Sequence, residues 1–201
     1  MVAKIVIING SAGVGKDSFV SYCKDFMGED VAFEMSTIEL VKSAMMVLGW
    51  NGQKTPEARR MMSDIKAAWI RYNDGAFNYV KNKLRMMEAV AFGMARPPGG
   101  LQVVFVHVRE PAEINKFVRE YGRRCVTVLV RRPGIPVPDN DSDRSVADCD
   151  YDVIIDNVGG LSLLRHLAEW FCREYVGAPR ELGEVEFRSV MSVGVDRLRN
   201  A

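Results

Sequence analysis

The stretch Gly10-Ser11-Ala12-Gly13-Val14-Gly15-Lys16-Asp17-Ser18 decides how the rest of this chain is read. The apolar run Ile5-Val6-Ile7-Ile8 precedes it, and Phe19, Val20, Cys23, Phe26 and Met27 follow at helical spacing. The glycines therefore join a buried strand to a helix. Glycine lets the backbone curl until successive N–H groups converge, which makes a concave site for an anion. A helix beginning near Gly15 adds the partial positive charge of its N-terminus, and Lys16 can reach the outer phosphates as a point charge. Gly10, Gly15 and Lys16 match the phosphate-binding spacing G-x-x-x-x-G-K, while Asp17 stands where a Ser or Thr is usual and Ser18 comes one position later. Ser11, Ala12, Gly13, Val14, Gly15, Lys16, Asp17 and Ser18 are thus the expected cofactor-binding residues, with ATP as the cofactor. Mg²⁺ would fall to Asp17 or Ser18, since a carboxylate is as hard an oxygen ligand as a hydroxyl.

Outward from the loop, strands alternate with helices. Residues 2–9 read as a central parallel strand, 31–35 as a short second strand, and 101–108, 126–130 and 153–155 as further buried strands. Ser36 or Thr37 is placed to cap a helix carrying Ile38, Val41, Met45 and Leu48. Thr55-Pro56-Glu57 starts another, continued by Met61, Met62, Ile65, Trp69 and Tyr72 and broken at Asn73-Asp74-Gly75. Further helices are expected over about 76–94, 111–121 and from Leu161 to Tyr175. This predicts an α/β, three-layer α/β/α fold with a parallel sheet and ligands at the C-terminal strand ends. The chain reads as one domain over 1–201, with a helical acceptor-binding insertion at about 36–95, a polar lid at about 131–150 and a tail over 177–201.

Bulk properties narrow the function. The chain has 201 residues, 48% of them hydrophobic, enough for one good core without disulfides. Lys and Arg number 27 against 26 Asp and Glu, a net charge of +1, so a general nucleic-acid binder is not expected. Cys23, Cys125, Cys149 and Cys172 show no metal spacing and read as thiols in a reducing compartment. No signal peptide or membrane-length apolar run is evident, so a cytoplasmic protein acting on small-molecule nucleotides, without membrane contact, is expected. Whether it forms a homodimer is left open by the sequence.

The Gly-Lys-Asp-Ser ending of the loop resembles that of the phage-type deoxynucleoside monophosphate kinases and, more distantly, the animal-type phosphomevalonate kinases. Met35-Ser36-Thr37 with Lys42, the segment His107-Val108-Arg109-Glu110-Pro111-Ala112-Glu113, and Tyr151-Asp152-Val153-Ile154-Ile155-Asp156-Asn157 resemble further segments of the first family in the same order. His107 stands where that family has an acid, and Asp141-Ser142-Asp143-Arg144-Ser145 replaces its His-x-Ser-Glu lid signature. The resemblance implies a P-loop kinase with Mg²⁺, phosphorylating a nucleoside or deoxynucleoside monophosphate. A kinase of another small phosphorylated metabolite, or a nucleotide-binding protein of kinase fold without catalysis, are the alternatives.

Phosphoryl transfer needs alignment and cations more than covalent help. Lys16 is the first candidate, then Arg109 just past a buried strand, where it can clamp an acceptor phosphate. Arg131, Arg132 and Arg144 of the lid segment are expected to close over the transferring group. Ser36, Lys42, Arg60 and Arg71 are acceptor-binding candidates, although Arg59, Lys66, Arg60 and Arg71 flank an apolar stripe and also suit a solvated face. The paired methionines Met45, Met46, Met61, Met62, Met86 and Met87 read as adaptable core.

Overall fold

The computed structural model of the protein describes residues 2–93, 102–135, 146, 149–177 and 195–196. Strand β1 (Val2–Asn9) leads through the glycine loop into helix α1 (Lys16–Met27), then β2 (Ala32–Ser36). Three helices follow: α2 (Glu39–Val47), α3 (Pro56–Asn73) and α4 (Gly75–Gly93). Then come β3 (Gln102–His107), α5 (Pro111–Tyr121), β4 (Cys125–Arg131), β5 (Val153–Asp156) and α6 (Gly160–Phe171), which runs into a π-helical turn over Cys172–Val176. A two-residue strand, β6 (Val195–Asp196), completes the described chain.

The strands form one sheet in the order β2-β3-β1-β4-β5-β6. The first five are parallel and β6 is antiparallel to β5. Alternation along each strand splits the core in two. Val6, Ile8, Phe105, Val128 and Ile155 point to one face, which α1 and α6 cover with Phe19, Val20, Leu164 and Phe171. Ile5, Ile7, Val104, Val106 and Ile154 point to the other, which α4 and α5 cover with Phe77, Val80, Leu84, Ile114 and Phe117. Each face has its aromatic contact: Phe19 on Phe171 with ring centroids 5.6 Å apart, and Phe77 edge-on to Phe117 at 4.8 Å. Burial of one such side chain is worth about 1.5–3 kcal/mol relative to leaving it in water. This is the three-layer α/β/α arrangement with a parallel sheet that the alternation predicts.

Several local expectations are corrected. Neither Ser36 nor Thr37 caps α2: the helix begins after Ile38 with no side-chain cap, because Ser36 still belongs to β2 and Thr37 is spent on the His107 carbonyl. Of the segment 36–95, residues 94 and 95 lie outside the described residues. Within it, helix α4 buries Val80 and Leu84 in the cluster on one face of the sheet. Met45 is core, but Met46, Met61 and Met86 are exposed. The α3–α4 break falls where expected: Asp74 is left-handed at φ 55°, and a Cβ on Gly75 would lie 1.9 Å from Trp69 Nε1.

Candidate functional site

The glycine loop is braced at both ends by buried asparagines. At its entry, Asn9 Oδ1 accepts from the Gly10 N–H at 2.8 Å. Asn9 Nδ2 donates to the Arg109 carbonyl at 3.1 Å and to the Tyr151 hydroxyl at 2.7 Å, and that hydroxyl donates to the Val146 carbonyl. At its exit, Asn157 Nδ2 donates to the Val14 carbonyl at 2.9 Å. Two glycines make these approaches fit. Gly10 has φ 148°, and a Cβ there would lie 2.4 Å from the Val130 carbonyl oxygen; Gly15 has φ 98°, and its Cβ would lie 2.7 Å from Asn157 Nδ2. The first helical bond is that from the Phe19 N–H to the Gly15 carbonyl. Ala12 and Gly13 sit in a hydrogen-bonded turn, and the N–H groups of Lys16, Asp17 and Ser18 open helix α1, where a helix offers them no acceptor of its own. N–H groups at a helix start point outward along its axis, so this end of the loop is suited to an anion.

The register brings the other candidates to the same edge of the sheet. Ile8 pairs with His107, Asn9 with Leu129, and Arg131 with Asp156, so the loop, Arg109, Arg131, Arg132 and Asn157 all lie at C-terminal strand ends. The crossover from β1 runs toward β2 and that from β4 toward β5, in opposite directions. The crevice between β1 and β4 is therefore a topological switch point, where open α/β sheets bind ligands.

Lys16 is mostly buried and its ammonium lies 3.2 Å from Asp17 Oδ1, while the Asp17 side chain is 76% exposed. Arg109 is half-buried. Arg131 is exposed and makes a bidentate pair with Asp156, its Nη2 at 2.9 Å from Oδ2, so it is tied to a strand end rather than held in a loop. Arg132 is exposed, and Arg144 lies outside the described residues. Ser36 ends β2, where its hydroxyl accepts from the Ile38 N–H. The side chains of Lys42, Arg60 and Arg71 make no hydrogen bond or ion pair to the strand ends among the described residues.

Two clusters lay beyond the reach of local patterns. The first centres on His107. Its Nε2 is 3.0 Å from Glu34 Oε1 and its Nδ1 is 3.9 Å from Asp17 Oδ1, and Lys24 Nζ is 3.5 Å from Glu34 Oε2. The hydrogen bond from His107 holds the Glu34 carboxyl below its ordinary range. Of this cluster, His107, Glu34 and Lys24 line an open groove of about 600 Å³, together with Ser36 and Glu39. The second is buried. Lys66, placed by periodicity on a solvated flank of α3, is only 5% exposed and pairs with both Glu110 and Glu113 at the start of α5. That correction has a plain cause: helical spacing shows where a residue points along its own helix, but not which acids another element brings there. Burial, partly offset by Lys66, pushes the Glu113 carboxyl up to about 7. Burial acts on Glu110 too, but the Lys66 charge and hydrogen bonds outweigh it and hold that carboxyl below its ordinary range.

A divalent cation fits the donor set at the loop. Asp17 and Ser18 offer hard oxygens beside the N–H groups that open α1, and no cluster of three His, Cys, Asp or Glu exists among the described residues. Mg²⁺ suits such a site, because it takes one or two protein oxygens and completes its shell with phosphate and water.

No family model matches the sequence, and no curated protein is significantly similar to it. Among solved structures, the chain is similar to a Thermus thermophilus protein described as TT1252, at 14% identity and a TM-score of 0.40, over 87% of this chain and 99% of that one. Among the described residues, no helix is long and apolar enough to cross a membrane.

Proposed function

We propose that this chain is an ATP-dependent kinase that phosphorylates a nucleoside or deoxynucleoside monophosphate. One observation carries the reading: the glycine loop, the N–H groups that open α1 and the Lys16 ammonium share the switch-point edge of the sheet with arginines from two other strand ends. The loop N–H groups and Lys16 bind the donor triphosphate. Arg109, next to the carbonyl that anchors Asn9, orients the acceptor phosphate. Arg131 and Arg132 add positive charge where the transferring group develops negative charge. Asp17 and Ser18 would hold Mg²⁺, which would supply neutralisation of phosphate charge.

The test is a panel of nucleoside and deoxynucleoside monophosphates, with phosphomevalonate as the non-nucleotide member, each incubated with Mg-ATP and read by ADP release. Turnover with one or a few monophosphates, absent from Lys16→Ala, is the expected result. Removing that charge should lower turnover by roughly a hundredfold to a thousandfold, the size of one lost electrostatic contact in a transition state. A folded Lys16→Ala protein with unchanged turnover would remove the loop from the reaction. Turnover with phosphomevalonate alone would move the acceptor class, and tight ATP binding without turnover on any acceptor would leave a binding protein.

A further inference from the structure

The side chain of Asn9 stands where three parts of the candidate site meet, and its neighbours hold the amide in one orientation. Asn9 is 1% exposed. Its Oδ1 accepts from the Gly10 N–H at 2.8 Å, and its Nδ2 donates to the Arg109 carbonyl at 3.1 Å and to the Tyr151 hydroxyl at 2.7 Å. Each of these partners excludes the flipped amide. A backbone N–H can only donate, and a carbonyl can only accept. The Tyr151 hydrogen goes to the Val146 carbonyl at 2.8 Å, which leaves its oxygen to accept from Asn9. Tyr151 and Val146 are themselves buried, so these bonds are shielded from water. The amide is thus fixed from three sides: the entry of the glycine loop, the strand end that carries Arg109, and the residue that leads into β5.

These bonds carry the join between strands beyond the backbone ladder. The ladder between β1 and β3 closes with the Val108 N–H on the Ile8 carbonyl at 3.2 Å. One residue further along each chain, the Asn9 side chain continues it to Arg109. Gly10 lies hard against β4, since a Cβ there would be 2.4 Å from the Val130 carbonyl oxygen. The loop entry therefore cannot yield toward β4, and a displacement of the Gly10 N–H as a phosphate fills the loop passes to the Asn9 amide. Turning that amide moves Nδ2, and the Arg109 carbonyl moves with it. We propose that Asn9 is a positioning residue that couples the two phosphate subsites. Through Gly10 it responds to the donor triphosphate, and through the Arg109 carbonyl it sets the arginine that meets the acceptor. Tyr151 holds the amide in the coupling orientation. Such coupling is reciprocal, so a phosphate that sets Arg109 also favours the filled form of the loop. The inference rests on the loop being a triphosphate site.

The experiment follows binding at single amides rather than turnover. The non-hydrolysable triphosphate adenylyl imidodiphosphate is titrated into wild type, Asn9→Ala, Tyr151→Phe and the double variant, with backbone amides observed by two-dimensional NMR. The Glu110 N–H is the reporter, because it shares a peptide group with the Arg109 carbonyl. Thermal melts check that each protein is folded; Tyr151→Phe, which deletes one oxygen and keeps the ring, decides the matter alone if Asn9→Ala is not. In wild type the loop amides and Glu110 should shift together along one binding curve. Asn9→Ala should bind more weakly by on the order of tenfold, within the range of ordinary coupling between sites, and its loop amides should still move while Glu110 stays silent. Tyr151→Phe should show a smaller loss and a reduced Glu110 response, and the double variant should match Asn9→Ala, because the hydroxyl acts through the amide. A Glu110 response that is silent in wild type, or unchanged in the variants, would overturn the proposal while leaving the triphosphate site standing. A Tyr151→Phe loss that adds to that of Asn9→Ala would also overturn it, since the effect would not pass through Asn9. Loop amides that do not move in wild type would remove the site, and the inference with it.

Discussion

At Asp17 a carboxylate stands where a phosphate-binding loop ordinarily ends in a hydroxyl, and the two differ in charge as well as in reach. A carboxylate attracts Mg²⁺ strongly but repels the phosphates that share the metal. Asp17→Asn should therefore shift the Mg²⁺ dependence of turnover to higher concentration, by roughly tenfold if one anionic ligand is lost, with a smaller effect on affinity for ATP. Titrating Mg²⁺ at saturating ATP compares the two proteins directly; superimposable curves would make Asp17 a helix-start acid, favoured by the dipole alone, and turn attention to Ser18. Residues 10–18 were legible because their chemistry is local: the spacing of three glycines and a lysine carries the geometry with it. The side chains that brace the loop were not legible. Asn9 meets Tyr151 across 142 positions of sequence, and Asn157 meets Val14 across 143. Nothing in the composition around an asparagine at a strand end marks it as a clamp. A buried polar residue closing an apolar run, as in Val153-Ile154-Ile155-Asp156-Asn157, is the one available signal.

Helix α3 shows what periodicity conveys about an element and what it omits. The Thr55 cap and the proline at the first turn were readable, and Thr55 Oγ1 accepts from the Ala58 N–H as expected. The helix's single fully buried residue, however, is a lysine, and its reason lies on α5. Lys66 joins α3 to Glu110 and Glu113, directly after the strand end that carries Arg109, so the outer helices are tied to the candidate site by a buried ion cluster. Two carboxylates around one ammonium cannot both be fully compensated, and among the described residues Glu113 Oε1 has no hydrogen-bond partner. This gives the fold a predictable response to pH. With its folded-state value raised to about 7, Glu113 contributes stability that is present below the ordinary carboxylate range and is lost as pH rises through about 7. Glu110, held low, acts in the opposite sense: its contribution is present above the ordinary range and lost only as pH falls below it. Between about pH 5 and 7 the Glu113 effect stands alone, with a slope of at most roughly 1.4 kcal/mol per pH unit. Urea melts at pH 5, 6 and 7.5 should show wild type losing stability relative to Glu113→Gln, which cannot ionise. Parallel curves for the two proteins would mean that Glu113 is already charged across this window. Lys66→Met leaves both acids without their cation and should cost more than either acid variant.

The whole molecule rests on the two faces of its parallel sheet, and this was legible because runs such as Ile5-Val6-Ile7-Ile8 and Val103-Val104-Phe105-Val106 are apolar at every position, as only a strand buried on both sides requires. The sixth strand was not legible. Val195–Asp196 is two residues long, and its pairing with Ile154 and Ile155 depends on where the fold leaves the edge of β5 rather than on any pattern of its own. Its place in the energetics can be predicted from the core. Among the described residues, the buried clusters run to Val176. The antiparallel strand pairs with the edge of the sheet at β5, and because residues up to Val176 already pack both faces, a protein ending after Gly177 should keep both helical layers and a single cooperative unfolding transition. Losing a short ladder on an edge strand is worth on the order of 1–2 kcal/mol, which in a protein of this size lowers the melting temperature by roughly 2–8 °C. The uncovered β5 edge should also raise the tendency to associate at high concentration. Calorimetry of the full and shortened proteins, each at two concentrations, measures both effects. A shortened protein with a broad, non-cooperative transition would show that the chain beyond Gly177 is part of what holds the two layers on the sheet; a sharp transition a few degrees lower would show that five parallel strands and the helices on their two faces are sufficient.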